Sequence, residues 1–137
     1  MVAIQRFEEL EAWKLARALT NDIYDATLVG EFNRDFSLRD QIRRASISIV
    51  SNIAEGYERD GDKEFVQFLY IAKGSCGEVR AQLYLAYDRN YLTREQFATL
   101  SSKAVQNKQS HFGIDQIPSP VANNWKEVQG RRLRPES

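Results

Sequence analysis

The amino-acid sequence predicts an all-α fold: an antiparallel up-down four-helix bundle with a poorly ordered C-terminal tail. Three observations carry that reading. Apolar residues recur at three- and four-residue spacings through four successive segments, and nowhere is there the two-residue alternation of a strand. The connections between these segments are short, as antiparallel neighbours in a bundle require. All three prolines, Pro118, Pro120 and Pro135, lie in the last twenty residues, which separates a helical body over residues 1–112 from a flexible tail over 113–137.

In the first helix, expected over about residues 6–27, Ala12, Ala16, Leu19, Ile23 and Ala26 form the apolar stripe, with Lys14, Arg17, Asn21 and Asp25 opposite. A connection containing Gly30 leads to Ser37, which with Asp40 three residues on makes a short-armed capping box. The second helix then runs to about Ala54 and ends near Gly56, a residue suited to a left-handed C-terminal cap. This helix has more apolar sides than a surface helix needs. Leu38, Ile42, Ala45, Ile49 and Ile53 share one face, at about 100° per residue. Ile47, Val50 and Ala54 lie roughly opposite, flanked by Arg39 and Arg43, while Arg44, Ser48, Ser51 and Glu55 form a strip between the two. A chain of 137 residues has no room for a helix buried on every side, so the second stripe predicts contact with another subunit.

The segment Glu58-Arg59-Asp60-Gly61-Asp62 reads as a turn, and a third helix begins near Lys63. Phe65, Phe68, Leu69, Ala72, Cys76, Val79, Leu83 and Ala86 share a face along a rod of roughly 30 Å. On the other side lie Ile71, Gly74, Ala81 and Leu85, a second outward set suited to a neighbouring subunit. Gly74 and Gly77 each cost about 1 kcal/mol relative to alanine in a helix, and close approach of another helix is the expected compensation. Thr93 with Gln96 forms a capping box that opens the fourth helix, where Phe97, Leu100 and Ala104 begin the apolar stripe. Lys108 and His111 arrive where apolar residues are wanted, so this helix is expected to fray beyond about residue 106.

Nineteen basic and nineteen acidic residues cancel, so overall charge argues for neither nucleic acid nor an anionic membrane. The single cysteine, Cys76, excludes an intramolecular disulfide and suits a reducing cytoplasm. No run approaches about eighteen apolar residues and the N-terminus has no leader pattern, so a soluble, cytoplasmic protein is expected. Catalysis is not expected. His111 is the sole histidine, Cys76 lies on a core stripe, and no phosphate loop, His-Glu-x-x-His or Cys-x-x-Cys is present. Paired carboxylates on facing helices can build di-iron sites, but the Glu-x-x-His partners that Glu55 and Glu78 would need are missing. These two glutamates are expected instead to form a structural polar network with Arg44. No cofactor, metal or small-molecule substrate is called for. Candidate nucleic-acid contacts are Arg39, Arg43 and Arg44, together with Arg131, Arg132 and Arg134 in the tail, where Trp125 could stack a base.

The residues also resemble a known family. The matching pieces are Phe7-Glu8-Glu9-Leu10-Glu11-Ala12-Trp13, Gln41-Ile42-Arg43-Arg44-Ala45, Ser51-Asn52-Ile53-Ala54-Glu55-Gly56, Lys63-Glu64-Phe65, Ile71-Ala72-Lys73-Gly74-Ser75 and Tyr91-Leu92-Thr93. In combination and at this spacing they resemble the four-helix-bundle proteins encoded in intervening sequences of bacterial 23S ribosomal RNA genes. The resemblance implies a non-catalytic bundle that assembles as a ring-shaped homo-oligomer, a homopentamer. Distant relatives serve as accessory proteins in diversity-generating retroelements, which by analogy implies RNA or DNA as an alternative partner for a basic ring surface. The chain departs from the family pattern at Phe32-Asn33-Arg34-Asp35-Phe36, where a proline and a glutamate are usual, and in the polar end of its fourth helix.

Overall fold

The computed structural model describes residues 6–109. A 3₁₀ turn, Phe7–Glu9, leads into α1 (Glu11–Thr27), followed by a five-residue helix α2 (Gly30–Arg34), then α3 (Phe36–Glu58), α4 (Asp62–Asp88) and α5 (Arg94–Gln109). The long helices run up and down in chain order around one core, and the contacts between them show each neighbouring pair to be antiparallel. Thr20 Oγ1 donates to the Ser46 carbonyl at 3.1 Å and Arg43 Nε donates to Thr27 Oγ1 at 2.8 Å, so α3 descends as α1 rises. Ser75 Oγ donates to Ser48 Oγ at 2.8 Å between α4 and α3. The Cys76 thiol donates to the Ala104 carbonyl at 3.2 Å between α4 and α5. Asn107 Nδ2 donates to the Ala12 carbonyl at 3.0 Å and closes the bundle from α5 back to α1.

The core is the set of stripes read from the sequence. Leu19, Ile23, Ile42, Ile49, Ile53, Leu69 and Leu83 are fully buried, each contributing about 1.5–3 kcal/mol through loss of apolar surface to water. Leu10 and Phe32 join them from the start of α1 and from α2. The Thr93–Gln96 capping box is present in both directions: Thr93 N donates to Gln96 Oε1 at 2.8 Å, and Gln96 N to Thr93 Oγ1 at 3.1 Å.

Four local features differ from expectation. The connection after α1 is partly helical, with Gly30 in the left-handed region at φ 63° and Phe32 stacked on Tyr91 at 5.2 Å between centroids. The N-cap of α3 is Asp35 rather than Ser37. Its carboxylate accepts from the Leu38 amide at 3.1 Å and from the Tyr91 hydroxyl at 2.9 Å, and these bonds, the amide first, hold its pKa below the ordinary 3.8. Gly56 is not a left-handed cap, because α3 continues through it to Glu58. A Cβ at Gly56 would stand 2.5 Å from Phe68 Cβ, so the glycine is needed where α4 crosses close to α3. The left-handed residues at the two long turns are Asp60 (φ 58°) and Asn90 (φ 61°). Finally, α5 extends past residue 106, where fraying was expected from Lys108 and His111, because Asn107 is buried with its amide bonded to α1. His111 and the expected tail over 113–137 lie outside the described residues.

Gly56→Ala should lower stability by about 1–3 kcal/mol, since backbone-proximal atoms must separate to admit the methyl group. Urea denaturation measures it, and a neutral result would contradict the close crossing. Asp35 contributes stability above the ordinary carboxylate pKa that is lost as pH falls through its lower folded value. The stability gap between the native chain and Asp35→Ala should therefore be flat near neutrality and narrow only in acid below about pH 4. A gap independent of pH across that range would exclude the cap.

Candidate self-association face

The outward side of α4 carries Ile71, Gly74, Glu78, Ala81 and Leu85, at alternating three- and four-residue spacings that keep them in one strip. All five are exposed, Ile71 at 51% and Leu85 at 53%. Gly74 and Gly77 have no atom within 4 Å of where a Cβ would stand. The neighbouring helix expected beside these glycines is therefore not supplied by the described part of this chain.

α3 divides its second apolar stripe between two tasks. Val50 follows Ser46 by four residues and Arg43 by seven, which places it on the side bonded to α1, and it is half-buried against the core. Ala54 is half-buried as well, whereas Ile47 faces outward with 41% exposure. Two of the three residues of that stripe are thus half-buried within the chain. Ile47 and the α4 strip remain exposed.

Between the outward sides of α3 and α4 lies a groove of about 270 Å³ lined by Gln41, Arg44, Ala45, Ser48, Ser75, Glu78 and Gln82. Its floor is the Ser75–Ser48 hydroxyl bond, reinforced by Asn52 Nδ2, which donates to the Ser48 carbonyl at 2.8 Å and to its hydroxyl at 3.0 Å. Gln82 Oε1 is buried and accepts no hydrogen bond among the described residues. The expected network of Arg44, Glu55 and Glu78 is only partly brought together. Arg44 and Glu78 share the groove without an ion pair, and Glu55 is held by Arg59 at 3.0 Å, one turn along its own helix.

The arginines proposed for nucleic acid have different surroundings. Arg39 donates to the Asn33 carbonyl at 2.8 Å, pairs with Asp40 at 3.0 Å and lies over the Phe36 ring at 4.7 Å. Arg43 donates to Thr27, lies over the Tyr24 ring at 4.7 Å, and has its Nη2 atom buried. Both brace the chain. Arg44 is the exposed one, and Arg131, Arg132 and Arg134 lie outside the described residues. The sequence places Gln82 beside Glu78 on the outward side of α4 but does not give the Ser48–Ser75 bond, because the register between two helices is not encoded in the periodicity of either. Nor does it give the exposed Leu28, Val29 and Phe36, which sit at helix ends where periodicity carries no information.

Among the described residues, no group of three or more His, Cys, Asp or Glu side chains could hold a metal ion, and no helix is long and apolar enough to cross a membrane. The family model of the 23S rRNA-intervening sequence protein matches residues 8–110, most of the chain. The chain belongs to the 23S rRNA-intervening sequence protein family. It is also similar in fold to a crystal structure, at 1.70 Å resolution, of a protein of unknown function from the S23 ribosomal protein family of Bacteroides thetaiotaomicron, with a TM-score of 0.69 and 22% identity. That match covers 75% of this chain and 96% of the other. No curated protein matches.

For this intervening-sequence protein, Arg43→Ala should cost about 1–2 kcal/mol through loss of the ring contact and the Thr27 hydrogen bond, and Arg43→Lys should not restore it. Equilibrium unfolding measures both; an unchanged midpoint would show that Arg43 does not brace α1 against α3.

Proposed function

We propose that the chain is a non-catalytic interaction protein of the cytoplasm that self-associates through the outward sides of α3 and α4 into a ring, of five subunits as the family resemblance implies. The observation that carries this reading is the open space at Gly74 and Gly77. Two glycines in the middle of a 27-residue helix cost about 1 kcal/mol each, and no packing within the described chain uses the room they leave. A helix from another copy would use it, with Ile71 and Leu85 supplying apolar surface on either side. The cytoplasmic setting is supported by a single free cysteine buried in the core.

A nucleic-acid platform is the second reading. It rests on the exposed Arg44 and on the tail arginines, since Arg39 and Arg43 are held within the chain.

Gly74→Leu separates the glycine's two effects. Within one subunit it replaces a poor helix former in open space, so the unassociated chain should keep its helicity and gain about 1 kcal/mol. Between subunits it blocks close approach, so sedimentation velocity should show a smaller species than the native chain does. An assembly of undiminished mass would remove α4 from the contact.

A further inference from the structure

The groove between α3 and α4 holds charged groups of both signs that the described chain leaves unpaired. The Ser75–Ser48 bond sets the register of the two helices. Arg44, four residues back from Ser48, and Glu78, three residues on from Ser75, therefore stand nearly level on opposite walls of the groove. Neither makes an ion pair or hydrogen bond among the described residues. One turn further along α4, Gln82 also lines the groove, but its Oε1 is buried beneath the surface and out of a partner's reach. The groove thus offers an exposed guanidinium beside an exposed carboxylate, neither paired among the described residues.

A surface carrying both signs is complementary to another copy of itself. We propose that Glu78 of one copy pairs with Arg44 of the next, and that this contact sets the register in which the α4 strip meets the neighbour. The inference rests on the self-association reading and names its polar contact. Glu78 lies on the same strip as Gly74 and Ala81, the side on which a neighbour would approach, so it is carried toward that neighbour's α3. A polyanion is the poorer occupant, because any phosphate drawn to Arg44 meets Glu78 in the same groove. The role fits the energetics of ion pairs at interfaces, which add more to selectivity than to raw affinity.

The test uses the full chain and its Arg44→Glu and Glu78→Arg variants, with sedimentation velocity as readout and circular dichroism to verify helicity. Both positions are exposed, and Arg44→Gln and Glu78→Gln serve as neutral controls with smaller effects. Each reversal alone should weaken association at least about tenfold. Mixing the two variants should recover association in part, because each contact between unlike variants restores a pair of opposite charges, while a ring of five cannot alternate throughout and keeps one like-charge contact. Recovery in a chain carrying both reversals, with no gain at all in the mixture, would place the pair within one subunit and overturn the proposal. Indifference of the assembly to both reversals would overturn it and leave self-association standing, whereas a native chain that sediments as a monomer would remove self-association itself. Loss of association from Arg44→Glu alone, with labelled RNA bound only by the native chain, would assign the groove to nucleic acid instead.

Discussion

The close antiparallel pairing of α3 with α4 is the contact on which the rest of the molecule depends. At one end Gly56 lets the backbone of α3 come against Phe68, where a methyl group would stand 2.5 Å from that residue's Cβ. Near the middle, two serine hydroxyls meet at 2.8 Å. Small residues along the seam permit a close interhelical distance and fix which turn of one helix faces which turn of the other. α1 and α5 then cover the remaining sides of the core and reach each other through Asn107 and the Lys103–Asp22 ion pair. The outward sides of α3 and α4 are left adjacent, with a shallow polar groove between them.

That geometry gives three arginines within six residues of α3 distinct roles. Arg39 and Arg43 are one turn apart, on the side near α1 and α2, where Asn33, Thr27 and two aromatic rings receive them. Arg44 is about 100° further round and faces the groove instead. A basic stretch in sequence is therefore not a basic patch in space. The same reasoning separates the stripe Ile47, Val50 and Ala54, since only Ile47 is turned outward while the other two are half-buried.

The core stripes of all four long helices were legible in the sequence, as were the Thr93–Gln96 capping box and the burial of Cys76, because each depends on residues a few positions apart. What was not legible depends on distant partners. Asp35 displaces Ser37 as the cap partly because the Tyr91 hydroxyl, 56 residues on, bonds the same carboxylate. Gly56 is explained by Phe68 across the seam rather than by its position near a helix end. The end of the fourth helix reads as fraying from Lys108 and His111 until the carbonyl of Ala12 is placed before the buried Asn107. At the candidate site, the outward position of Ile71, Gly74, Ala81 and Leu85 followed from spacing alone. Arg44 was expected to pair with Glu55 or Glu78, and what emerged only once the two helices were set in register is the groove that Arg44 and Glu78 share unpaired.

In the function proposed above, another copy of the chain completes the outward sides of α3 and α4. The most direct measurement is the sedimentation equilibrium mass of the native chain over a range of concentrations. Self-association should give a species several times the 15.8 kDa of one subunit, approaching five, in the micromolar range. A single 15.8 kDa species persisting to about 100 μM would contradict it, since an interface of even modest affinity would be populated there.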